Sequence, residues 1–139
     1  MKFTENMLIK FNENKEVRLL YFEKLTKNVF VIDLFENRWP YIIAYDDLYM
    51  DVSELRAIIV EDNILDIAKK IDLTIAEVEK IDFAWEVISY IFKNINEPKI
   101  FYSRYRTPVI KETSEMFKIS FNTIKNYLLK YWKGGKIKN

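Results

Sequence analysis

The hydrophobic pattern of this chain changes period once, and that change is what most limits its fold. Up to about residue 62 the apolar residues come in short runs rich in β-branched and aromatic side chains: MLIKF (7–11), VRLLYF (17–22), VFVIDL (29–34), YIIA (41–44) and AIIV (57–60). Such runs fit a pleated, half-buried surface. From Thr74 onward apolar residues recur at three- and four-residue spacing, the period of a helix face. An α+β protein follows, with strands and helices segregated along the sequence.

Polar connections at 12–16 and 24–28 make a meander the simplest path for the first strands, and five short strands at this spacing predict a small, closed or half-closed, barrel-like sheet. Pro40 cannot donate to a ladder, so the fourth strand is expected to start at an edge. YDDLYMDVSEL (45–55) reads as one helix between strands four and five. Its carboxylates Asp46, Asp47, Asp51 and Glu54 raise the question of a metal. Asp46 and Asp47 are also what a helix start prefers, and no third ligand of defined spacing accompanies them, so neither metal nor cofactor is expected.

Residues 63–71 read as a connection with one or two helical turns. Thr74 and Glu77 then fit a capping box, and Ile75, Val78, Ile81, Trp85, Ile88 and Phe92 mark the apolar face of a helix reaching about Lys93, a face that Tyr90 and Ile91 widen. Trp85 is expected in the core. The expected division is a small β domain at 1–62, a connecting segment and long helix at 63–98, and a basic region at 99–139.

Within that last region, residues 106–132 read as two short helices and a tight turn. Thr107 can cap a helix whose first position is Pro108, with Ile110, Thr113, Ser114 and Phe117 along one face. Lys118 and Ile119 make the turn. Ser120 caps a second helix whose inward stripe is Phe121, Ile124, Leu128 and Tyr131, and which stops at Gly134 and Gly135. This is the pattern of a helix-turn-helix, completing a three-helix domain, and in that motif the second helix enters the major groove of double-stranded DNA. Asn122, Thr123, Lys125 and Asn126 are then the candidates to read bases, since Asn pairs with adenine and Lys reaches guanine. Arg104, Arg106, Lys118, Ser120, Lys130, Lys133 and Lys136 are the candidates for phosphate contact.

Charge points the same way. The formal net charge is only +1, yet from Lys99 onward ten basic residues face two acidic ones, a local +8 against −7 for the preceding residues. Clustered Lys and Arg gain affinity by releasing counterions from phosphates. The chain has no cysteine and no histidine, which excludes disulfides, thiol catalysis, the usual zinc sites and any imidazole-based triad. No apolar run is long enough to span a bilayer and no signal core opens the chain, so a cytoplasmic protein without a membrane partner or a small-molecule substrate is expected.

Taken together, IDFAWEVISYIF (81–92) and the residues from Glu97 to Lys136 resemble the N-terminal region of TnsB-type transposases, which are DDE-family enzymes related to the phage Mu transposase. The features that carry the resemblance are Trp85, the core Ile119, Ser120, Thr123, Ile124, Tyr127 and Leu128, and the exit Tyr131, Trp132, Gly134, Gly135 and Lys136. YIIAYDDL and IIVED in the β part also look like the family's N-terminal portion. The resemblance implies recognition of transposon ends, partnership with other transposase subunits, and a role in transposition and DNA recombination by a mobile element. In a full-length relative a catalytic core with three metal-binding carboxylates would follow Lys136. This chain ends at Asn139, so no catalytic residue is carried over and no enzymatic activity is expected. Lys118 departs from the motif, which commonly has glycine at that turn position. Two other functions fit the same residues: a helix-turn-helix transcriptional regulator with the β part as its sensing or dimerising unit, and a protein-interaction module built on the acidic half.

Overall fold

A computed structural model describes residues 2–61 and 73–138. The connection read at 63–71 falls outside them, apart from which the chain forms two compact units, 1–63 and 64–139.

The first unit is an antiparallel sheet of β1 (Leu8–Asn12), β2 (Lys15–Glu23), β3 (Asn28–Asp33), β4 (Tyr41–Ala44) and β5 (Ile58–Val60), with one helix, α1 (Tyr45–Ser53). Strands one to four form the expected meander, and the order β4-β3-β2-β1-β5 puts β4 at one edge, just after Pro40, and β5 at the other. Ile9 pairs with Val17, Leu19 with Val31 and Val29 with Ile43, so one face collects a continuous apolar layer. Between Leu19 and Tyr21 the register slips by one residue, a bulge that turns Phe22 rather than Tyr21 toward that layer. Leu20, Phe30 and Ile32, on the opposite face, are buried as well.

The sheet is open; the barrel expected from five evenly spaced strands does not form. Closure would require β4 to pair with β5, but the chain leaves β4 directly into α1 and re-enters beside β1, and β5 is only three residues long. The helix closes the apolar layer instead. Leu48 of α1 is fully buried among Ile9, Val17, Leu19, Val29 and Val31, and the Tyr45 N–H donates to the Lys27 carbonyl at 2.8 Å, tying the helix start to the β2–β3 turn. Asp46 and Asp47 occupy the first turn of α1, where negative charge meets the positive end of the helix dipole.

The described part of the second unit holds α2 (Ile75–Asn94), a single 3₁₀ turn at Lys99–Phe101, α3 (Ser103–Phe117) and α4 (Phe121–Lys133). Thr74 and Glu77 make the capping box in full. The core is formed by Val87, Ile88 and Ile91 of α2, Ile100 and Phe101 of the 3₁₀ turn, Ile110 and Thr113 of α3, and Ile124, Leu128, Leu129 and Trp132 of α4. Among the described residues the fully buried positions of α2 lie in its second half, while Phe83 in the first half meets Phe117 and Tyr127 edge to face. Ile75 and Val78, expected on its apolar face, are exposed, and Trp85 and Phe92 are half-buried; Ile88 and Ile91 are buried as expected, and Val87, outside the expected face, is buried with them.

Helix α3 starts five residues earlier than Thr107 and Pro108 predict. Pro108 sits inside it, where it has no N–H to give to the Arg104 carbonyl. What holds the extra turn is Arg106. Its side chain is only 6% exposed and its Nη1 donates to the Ile100 carbonyl at 3.1 Å, while the backbone N–H groups of Tyr105 and Arg106 both reach the Tyr102 carbonyl.

Candidate nucleic-acid interface

The connection between α3 and α4 is three residues long, and Ser114 holds it from both sides. The Lys118 and Ile119 N–H groups donate to the Ser114 carbonyl, and the Ser114 hydroxyl donates to the Ile119 carbonyl at 2.5 Å. Lys118 adopts φ 57°, ψ 44°, a left-handed conformation that glycine takes at lower cost. Ser120 then caps α4: the Thr123 N–H donates to its Oγ at 3.1 Å, and the two hydroxyl oxygens lie 2.8 Å apart. Ser120, expected on phosphate, therefore uses its side chain to start the helix.

Helix α4 presents two contrasting faces. Ile124, Leu128 and Trp132, at four-residue spacing, are fully buried, and Leu129 joins them. This stripe is rotated from the expected one. Trp132 and Leu129 take the inward places given to Tyr131, which is half-buried with its hydroxyl pKa raised by burial and the nearby Glu97 charge, and to Phe121, which is 41% exposed. On the far side Asn122, Asn126 and Lys130 form an exposed row at the same spacing, with Lys133 half-exposed at its end. Thr123 is half-buried and engaged with Ser120. Lys125 precedes Leu129 by four residues, so it lies at the border of the buried stripe rather than on the row of Asn122 and Asn126.

Of the basic residues from Lys99 onward, Arg106, Lys136 and Lys138 are among those bound to protein groups. Arg106 is buried, and burial lowers its pKa from the usual arginine value. Lys136 donates to Glu97 at 2.7 Å with both side chains 16% exposed, and Lys138 pairs with Asp82 at 2.6 Å. Arg106 and Lys136, both expected on phosphate, are thus placed where they bind protein groups. Lys99, Arg104, Lys111, Lys118 and Lys130 are exposed, and Lys125 and Lys133 are partly so. The Arg104 guanidinium lies 4.7 Å from the Tyr105 ring centre, which also has Lys99 Nζ at 5.6 Å, so an aromatic ring steadies the two cations.

Two positioning residues escape sequence reasoning. Glu97 accepts from Trp132 Nε1 at 3.2 Å as well as from Lys136, so the segment before α3 grips the end of α4. A glutamate before a proline carries no periodic signal. Ser114 was legible only as a small residue on a helix face, since its bond to Ile119 depends on the turn's shape. Gly135, at φ 89°, allows the chain to turn back after α4 and bring Lys136 to Glu97.

Among the described residues no helix is long and apolar enough to cross a membrane, and no group of three or more acidic residues is arranged to hold a metal ion. No curated protein matches the chain. Residues 81–139 match the family model described as TnsB second domain, a stretch that takes in the packed half of α2 with all of α3 and α4. That family points to the DNA-binding region of a transposase. The match over residues 81–139 supports the N-terminal region of a TnsB-type transposase.

Proposed function

We propose that α3 and α4 act as a helix-turn-helix through which this chain binds double-stranded DNA in a sequence-specific manner, with α4 in the major groove and transposon ends as its sites. The observation that carries this reading is the polarity of α4. A fully buried Ile124, Leu128 and Trp132 stripe fixes the helix rigidly, and the row Asn122, Asn126 and Lys130 stands exposed on its other side. A helix held this way can present amide groups to base edges with little loss of backbone freedom.

The surrounding charge fits the same reading. Arg104, Lys111, Lys118 and Lys130 are exposed cations in a region with only two carboxylates, and Glu112 is occupied by the Tyr90 hydroxyl at 3.0 Å. Phosphates neutralised by these residues would set the register of α4 without themselves reading sequence. Base reading then falls to Asn122 and Asn126 first, with Thr123 and Lys125 at the margins of the row. The chain binds and does not cut, and other transposase subunits are its protein partners. The test is selection of bound duplexes from a random pool: a recurrent motif that also occurs at mobile-element termini supports the reading, and a pool that stays random refutes it.

A further inference from the structure

The aromatic ring at the start of α4 is only partly covered by the fold. Phe121 is the first residue of the helix and heads the stripe that continues through Ile124 and Leu128; those two are fully buried, yet Phe121 is 41% exposed. The stripe outruns the core by one turn. Helical side chains lean toward the N-terminus of their helix, so the ring extends past the start of α4, beside the exposed Asn122.

We propose that Phe121 is a specificity-determining residue that packs against the 5-methyl group of a thymine in the major groove. This rests on the reading of α4 as the groove-entering helix. The chemistry is selective: of the four bases only thymine offers an apolar group on the major-groove edge, and a Phe ring is among the side chains that meet it. The neighbouring Asn122 and Asn126 favour adenine, whose paired thymine stands in the same groove. A ring left in water at that tip would gain from such a contact what any apolar surface gains on burial.

The test replaces each thymine of the selected duplex in turn by uracil, which deletes only the methyl group, and measures affinity of the intact chain, Phe121→Ala and Phe121→Leu. At one position uracil should weaken the intact chain about fourfold, the value of one buried methyl group. Phe121→Ala should bind the thymine duplex more weakly and be indifferent to that same replacement, while Phe121→Leu keeps part of the sensitivity. Phe121→Leu, which keeps an apolar side chain over the part of the surface that the ring covers, should melt like the parent. Losses that simply multiply, no thymine whose methyl matters, or a Phe121→Ala variant that loses a protein partner but no DNA affinity would each overturn the proposal. If instead the parent chain does not distinguish selected from scrambled duplex, the reading of α4 fails with it, a result separable from the others.

Discussion

Replacing Glu97 by alanine should destabilise the helical unit by about 2–5 kcal/mol, although Glu97 lies in no helix and contributes nothing to the apolar core. Its two oxygens accept separately from Trp132 Nε1 at 3.2 Å and from Lys136 Nζ at 2.7 Å. Taking the acceptor from the indole of a fully buried tryptophan costs about 1–3 kcal/mol. The pair with Lys136, each side chain 16% exposed, falls between an exposed pair worth about 0.2–1 kcal/mol and a buried one whose breaking costs about 3–5 kcal/mol, so about 1–2 kcal/mol is expected from it. Glu97→Gln keeps an acceptor for the indole and loses the ion pair, and should cost about half as much. Urea denaturation followed by helical circular dichroism measures both. A loss below about 0.5 kcal/mol for the alanine variant, the level of an ordinary surface change, would refute the anchoring role.

Further outcomes follow from the same geometry. Log affinity for DNA should fall with log salt at a slope of roughly −4.5 to −6, set by about five to seven phosphate contacts, and Lys136→Ala should leave that slope unchanged because Lys136 is held by Glu97. Lys118→Gly should raise stability by about 0.5–1 kcal/mol by relieving the left-handed conformation, while weakening binding to every duplex alike through loss of one cation. Purified chain incubated with magnesium or manganese should neither nick nor join DNA; cleavage abolished by changing Asp46 or Asp47 would contradict the reading of those residues as helix-start charges.

The sheet and its helix were legible nearly to the residue because Val29 to Ile32 and Tyr41 to Ala44 combine β-branched or aromatic side chains with clear polar boundaries. What could not be read was whether the sheet closes, since closure depends on where α1 packs. The local geometry of α3 and α4 was legible in outline for a similar reason. Ser120 as a cap, Asn122 and Asn126 as outward residues and the strained turn at Lys118 follow from local chemistry. The errors lie where tertiary contacts decide. Local spacing cannot say that Trp132 rather than Tyr131 faces Phe101, with ring centres 5.4 Å apart. It also cannot say that a cation such as Arg106 will be drawn inward by the Ile100 carbonyl. Pro108 illustrates the opposite case, a strong local start signal overridden because the turn from Ser103 is stabilised by contacts outside the helix.

The central claim is that α4 reads bases, and Asn126→Ala tests it most directly. The variant should be measured on the selected duplex and on scrambled DNA at one salt concentration, beside Lys125→Ala and Lys133→Ala. Asn126 is exposed in the row with Asn122, so its loss should cost about 1–3 kcal/mol on the selected site and far less on scrambled DNA. Lys125, at the border of the buried stripe, should show a smaller difference, and Lys133→Ala should weaken both duplexes alike. Equal losses on selected and scrambled DNA for Asn126→Ala would mean that the exposed row of α4 does not read sequence.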